Sequence, residues 1–135
     1  MKAALSHVQF NVRPESLPFY RDLLAFLAWR AVYDDPQTLG VECDAASLWF
    51  AGQVKDVSND YDGPGMNHLA LRAESQADVD AAAAFLSERG VELLFETPRH
   101  RPEFSDGADQ TYYQVMFESP DHILFEVVYT GPKPA

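Results

Sequence analysis

The chain has 135 residues, 47% of them hydrophobic, which is the length of one compact domain with enough apolar side chains for a real core. Its 10 Lys and Arg stand against 21 Asp and Glu, and the formal charge of -11 disfavours nucleic-acid phosphates and anionic membrane surfaces as partners. Cys43 is the single cysteine, so no internal disulfide can form, and its neighbours Glu42 and Asp44 lack the cations that would make it a reactive thiolate. No stretch approaches the ~18 apolar residues of a membrane span, and MKAALSHVQF has no apolar run long enough for a signal peptide, so a cytoplasmic location is expected.

Near the start, Val8, Phe10 and Val12 alternate with His7, Gln9 and Asn11, the period-2 pattern of a strand with one apolar and one polar face. Ser16 is placed to cap a helix with Pro18 in its first turn, and Tyr20, Leu23, Leu24 and Leu27 form an apolar stripe along it. Three short strands are expected next, at 29–33, 38–43 and 47–51, which makes a βαβββ unit. Residues 52–65 then turn polar and rich in turn formers.

Beyond them the pattern returns. Leu69 and Leu71 alternate with His68, Ala70 and Arg72, Ser75 offers a cap, Val79, Ala82, Ala83 and Leu86 form the stripe, and Gly90 can end the helix. Strands are expected at 91–96, 111–117 and 123–129. The chain therefore reads as one domain, 1–135, of two tandem βαβββ modules, 4–52 and 66–130, joined by a linker at 53–65. The fold class is α+β, with a curved mixed sheet around a cavity. Residues 98–110 form a long excursion without a counterpart in the first module, and loops of that length inside compact domains are often functional.

A helix covers only one face of each strand, so the face bearing His7, Gln9, His68, Arg72 and Glu126 is expected to line the cavity. Glu126 lies within ILFEVVY, and a carboxylate among so many apolar residues is costly without a cation. Two imidazoles at equivalent places of a repeat and one embedded carboxylate suit a divalent first-row metal, with positions left open for substrate. His7, His68 and Glu126 are the expected ligands.

With the histidine third in the first strand of each module and the closing SPDHILFEVV, the chain resembles the vicinal oxygen chelate superfamily, which includes glyoxalase I, extradiol ring-cleaving dioxygenases, fosfomycin-inactivating enzymes and bleomycin-binding proteins. The resemblance spans about residues 4–130. It implies one divalent ion (Fe, Zn, Ni, Co or Mn) on His7, His68 and Glu126, and a small substrate with two neighbouring oxygens. Matching SLWFAG to ILFEVV sets Phe50 where a glyoxalase I has its fourth, carboxylate ligand, which favours the three-ligand arrangement of the dioxygenases. Glu42 is a conceivable substitute that reads better as a surface carboxylate. A dioxygenase also wants an acid-base histidine and a tyrosine, for which His122, His100 and Tyr112 are the candidates. Gln9, Phe50, Arg72, Arg99 and Tyr113 are candidates for contacting substrate, and Arg99 and Arg101 could receive an anionic group. The rival expectation is a metal-free small-molecule binder of the bleomycin-resistance kind. Strand edges and the apolar Trp29, Trp49 and Phe50 lead to the expectation of a homodimer.

Overall fold

The computed structural model describes residues 1–52 and 54–135; Gln53, where the expected linker begins, lies outside the described residues. Two compact units, Met1–Ser58 and Asn59–Ala135, divide the chain within that linker.

The first unit runs β1 (His7–Asn11), a 3-10 turn (Pro14–Ser16), α1 (Leu17–Phe26), β2 (Arg30–Asp34), β3 (Thr38–Cys43) and β4 (Ala46–Ala51). The second repeats it as β5 (Leu69–Arg72), α2 (Gln76–Glu88), β6 (Leu93–His100), a 3-10 turn (Pro102–Phe104), β7 (Gln110–Glu118) and β8 (Leu124–Pro132). Each unit holds one four-stranded mixed sheet, β1-β4-β3-β2 and β5-β8-β7-β6, in which the first strand pairs parallel with the last and the other pairs are antiparallel. The fold is α+β, as the repeat implies.

One sheet face in each unit is apolar and carries the core. In the first unit Phe10, Val12, Leu39, Val41, Leu48 and Phe50 are buried with Leu17, Tyr20, Leu23 and Leu24 of α1. In the second, Val115, Phe117, Phe125 and Val127 are buried with Val79, Ala82, Ala83 and Leu86 of α2. Full burial of a Val, Leu or Phe side chain contributes about 1.5–3 kcal/mol, so these stripes hold the helices in place.

The two helices start differently. Ser75 is extended (φ -153°, ψ 162°) and its Oγ accepts from the Asp78 N–H at 3.1 Å, the expected cap. Ser16 makes no such bond, because the turn Pro14–Ser16 has already brought it to helical angles (φ -87°, ψ -12°), and a side chain caps from an extended backbone. They end alike. Trp29 N bonds Leu24 O and Val91 N bonds Leu86 O, with Ala28 (φ 65°) and Gly90 (φ 75°) in the left-handed position before them.

The strand expected at 91–96 is displaced to Leu93–His100, so Arg99 and His100 belong to β6 and not to a loop. Leu94 pairs with Met116 and Arg99 with Gln114, so the strand bulges between them. Thr97 closes the bulge with its hydroxyl, which donates to Leu94 O at 2.7 Å and accepts from Met116 N at 2.9 Å. Phe95 and Glu96, both left-handed (φ 57° and 59°), turn the bulge outward.

Candidate functional site

The open face of the second sheet is built by strand parity. The β7–β8 register sets Met116 opposite Glu126 and Gln114 opposite Val128, while the β5–β8 register sets Ala70 opposite Glu126. Tyr112, Gln114, Met116, Leu124 and Glu126 therefore share the face away from α2, and His68, one residue before β5, continues it. A cavity of about 490 Å³ opens over this face within the second unit, a size suited to a small molecule. Its polar lining includes His68, Asn67, Arg101, Gln114, Tyr112 and Glu126; Phe95, Phe104, Met116 and Leu124 supply apolar wall.

Glu126 is 1% exposed, and both oxygens of its carboxylate have partners. Its Oε1 accepts from the Tyr112 hydroxyl at 2.6 Å and from Gln114 Nε2 at 2.7 Å. Its Oε2 lies 3.2 Å from His68 Nε2. The other imidazole nitrogen, Nδ1, is 2.7 Å from Asn67 Oδ1, and Asn67 Nδ2 in turn donates to Tyr61 O at 3.0 Å. With Asn67 oriented by that second bond, its Oδ1 accepts a hydrogen bond from the Nδ1–H, which leaves Nε2 directed at Glu126.

A second chain of contacts approaches from the excursion. Arg101 Nη1 donates to Gln114 Oε1 at 2.9 Å, its Nε donates to Glu103 Oε1 at 2.6 Å, and its guanidinium carbon lies 5.0 Å from the Phe104 ring centroid. Gln114, only 3% exposed, thus spends its oxygen on a cation and its amide N–H on a carboxylate, which fixes which way it points. Burial first, and then the bond to Glu126, pushes the Tyr112 phenol far above its ordinary range, so it remains a hydrogen-bond donor.

Several expected site residues lie elsewhere. Tyr113 is on the opposite face of β7 from Tyr112 and donates to Asp80 of α2 at 2.5 Å; burial and that bond push its phenol up to about 12. His100, opposite Tyr113, lies 2.6 Å from Thr111 Oγ1 and does not line the cavity. His122 sits exposed in the β7–β8 turn at φ 57°, with Nδ1 3.3 Å from Glu118 Oε2, so neither histidine accompanies Tyr112 at the cavity. Arg72 and Arg99 are exposed and outside the lining; of the two arginines expected to receive an anionic group, Arg101 lines the cavity and Arg99 does not. Gln114, Asn67 and Phe104 were not anticipated as site residues. Parity with Tyr112 was the signal available for Gln114.

In the first unit, His7 and Gln9 are exposed on β1, and His7 Nδ1 lies 3.1 Å from Ser6 Oγ. Glu42 pairs with Arg30. Phe50 is fully buried, stacked on Phe10 at 5.1 Å and on Tyr20 at 4.3 Å, so it contacts the helix and cannot contact a substrate on the open face. The register corrects its alignment as well. Glu126 pairs with the residue two beyond His68, and the residue two beyond His7, Gln9, pairs with Trp49. Trp49 lies flat over β3, where a Cβ on Gly40 would stand 2.6 Å from its ring, so only glycine fits beneath it.

A twice-built βαβββ unit with a buried carboxylate and an imidazole over its open sheet face defines a class of small α+β ligand-binding proteins and enzymes. The chain belongs to the Glyoxalase/Bleomycin resistance protein/Dioxygenase superfamily, whose family model matches residues 4–127. Among solved structures it is similar to a candidate glyoxalase from Bacillus halodurans, with 29% identity, a TM-score of 0.78, and 95% of this chain and 96% of that one covered. It shares its fold with a lactoylglutathione lyase from Agrobacterium tumefaciens (17% identity, TM-score 0.64, 95% and 94% covered). The same holds for the fosfomycin resistance protein FosX from Listeria monocytogenes (18% identity, TM-score 0.66, 96% and 94% covered). Over 64 residues it is 39% identical to the protein YqjT of Bacillus subtilis (strain 168), a match covering 47% of this chain and 46% of that one, so the match spans about half the length of the curated relative.

Proposed function

We propose that the protein is a metal-dependent enzyme of the vicinal oxygen chelate type, acting on a small substrate through two neighbouring oxygens. The observation that carries this reading is the setting of Glu126, whose Oε1 is taken up by two neutral donors while its Oε2 faces His68 Nε2. A carboxylate oxygen beside an imidazole nitrogen whose partner nitrogen is already held is a donor set suited to a divalent first-row ion. In this reading His7, at the matching place in the first unit, is the third ligand, and one ion of Fe, Zn, Ni, Co or Mn is held with positions left for substrate. When bound, such an ion stabilises negative charge developing on a substrate oxygen. Tyr112 and Gln114 keep Glu126 oriented, and Tyr112 holds a proton at its hydroxyl at all physiological pH. Ring-cleaving dioxygenation and lyase or isomerase chemistry both suit this set. The protein works in this reading as a cytoplasmic homodimer; no helix among the described residues is long and apolar enough to cross a membrane.

One observation favours a second reading, a metal-free binder of small molecules of the bleomycin-resistance kind. Among the described residues no three His, Cys, Asp or Glu side chains group to hold an ion, and a protonated His68 would satisfy Glu126 by itself. Metal analysis of protein purified without chelator separates the two. The enzyme reading expects about one divalent ion per chain, lost in His7→Ala, His68→Ala and Glu126→Ala alike. A wild type free of metal that still binds small molecules establishes the binder.

A further inference from the structure

We propose that Arg101 is the anion receptor of this cavity, so that its ligand is a small organic acid, and that Glu103 stands in for the ligand's anionic group until it arrives. The inference rests on the reading of the cavity as the ligand site, but not on the presence of a metal. Among the described residues lining the cavity, Arg101 is the sole Lys or Arg, set in a chain with a formal charge of -11. Such a chain repels anions at long range, so an anion is bound only where a cation has been placed for it.

Arg101 is so placed. Its backbone N–H bonds Tyr112 O at 2.7 Å, its Nη1 is held by the buried Gln114, and its plane lies near Phe104, so little side-chain freedom is left to lose on binding. Its side chain is 21% exposed, and among the described residues its Nη2 has no hydrogen-bond partner. The contact from Nε goes to Glu103, whose own side chain is 53% exposed and is therefore cheap to displace. A carboxylate or phosphonate arriving from the cavity can take up the Nε and Nη2 edge as a two-point pair, sending Glu103 into water.

Gln114 also sets the scale of the ligand. It spans from Arg101 Nη1 (2.9 Å) to Glu126 Oε1 (2.7 Å), so the cation and the buried carboxylate lie no more than about 8 Å apart. A ligand anchored by its anionic group on Arg101 therefore brings atoms only one ring away to the His68 and Glu126 end. Phe95, Phe104 and Met116 offer that ring an apolar and aromatic wall.

The test is calorimetric binding of benzoate, phenylphosphonate and the neutral benzamide to the full-length protein as purified, with metal content measured on the same preparations. At least one of the anions should bind about tenfold or more tightly than benzamide, as a charged hydrogen-bonded pair implies. Arg101→Gln should bring anion and amide within about twofold of each other, and Arg101→Lys should restore part of the gap. Glu103→Gln should tighten anion binding severalfold by removing the competing carboxylate. Arg89→Gln on α2 should change nothing. An anion preference that survives Arg101→Gln, a Glu103→Gln variant that binds anions more weakly, or no anion binding at millimolar concentration overturns the proposal. A wild type without metal that keeps the Arg101-dependent preference sustains the anion receptor and removes the metal. A metal-loaded protein without that preference does the reverse.

Discussion

Tyr112 and Tyr113 are adjacent and chemically identical, yet one donates to the buried Glu126 and the other to Asp80 on the helix. Removing the first leaves a buried carboxylate short of a donor, so Tyr112→Phe should cost about 1–3 kcal/mol. Tyr113→Phe, whose acceptor is exposed, should cost less; urea unfolding of both variants checks the order, and equal losses would refute the placement. The phenols also report on pH. The Glu118 bond pushes Tyr61 up to about 12, and burial with the Asp80 bond does the same for Tyr113. A folded pKa above the unfolded value contributes stability that is fully present below the unfolded pKa, near 10, and is lost as pH rises through about 12. Alkaline titration of phenolate absorbance should therefore be biphasic, with Tyr61, Tyr112 and Tyr113 ionising late among the 6 tyrosines and Tyr33 also raised, by its hydrogen bond to Asp35. A single transition near the ordinary value would contradict the three hydrogen bonds.

The element that repeats most faithfully is the helix end, and the repeat exposes a difference in strain. Gly90 occupies the left-handed position after α2 without cost, whereas Ala28 occupies it after α1 with a Cβ. An L-residue there costs about 1 kcal/mol, so Ala28→Gly should raise stability by up to that amount and raise the melting temperature. An unchanged or lower melting temperature would show that the greater freedom of glycine in the unfolded chain outweighs the relief. β4 provides the opposite case. With Phe50 stacked between Phe10 and Tyr20, Phe50→Glu places a charge in the core of the first unit and should unfold it, not add a ligand to a metal. Loss of the cooperative far-ultraviolet melt in that variant is the expected outcome; a folded Phe50→Glu that binds metal more tightly would restore the alignment drawn from the sequence.

At the scale of the whole molecule, each four-stranded sheet is open and so has two edge strands, β1 and β2 in the first unit and β5 and β6 in the second. All five residues of β2 are exposed, among them Val32 and Tyr33, and Phe26 at the end of α1 is 46% exposed. Edges and apolar surface of this kind are covered in stable proteins, which is the physical basis for proposing a homodimer. Sedimentation at micromolar concentration should then give twice the chain mass of 15.1 kDa, and a monomer throughout would exclude it. The net charge of -11 opposes association at low salt, so the dimer should strengthen as salt is added.

The sequence by itself determined what depends on neighbours along the chain. Among the described residues, period-2 alternation and the helical stripes located both helices and seven of the eight strands, β6 lying further along the chain than expected, and the repeat of the pattern gave the βαβββ order of each unit. Parity along ILFEVVY separated Glu126 from the core-facing Phe125 and Val127, and His68 precedes its strand on the matching side. What the tertiary structure alone decided is which strands meet, and in what register. A slip of one residue sends a side chain to the opposite face, and that slip is the difference between Phe50 in the core and Trp49 opposite Gln9. The same holds for the bulge in β6, where a threonine hydroxyl replaces ladder contacts and carries the chain onward to Arg101. Residues 98–110 show no periodicity, so the sequence could name Arg99 and Arg101 together as candidate anion receptors, but nothing local announced that Arg101 and Phe104 would line the cavity while Arg99 and His100 did not. Gln114 became a site residue only through its partners. An amide is neutral and unremarkable in a sequence, and it acquires a role when folding places a cation at one end of it and a buried carboxylate at the other.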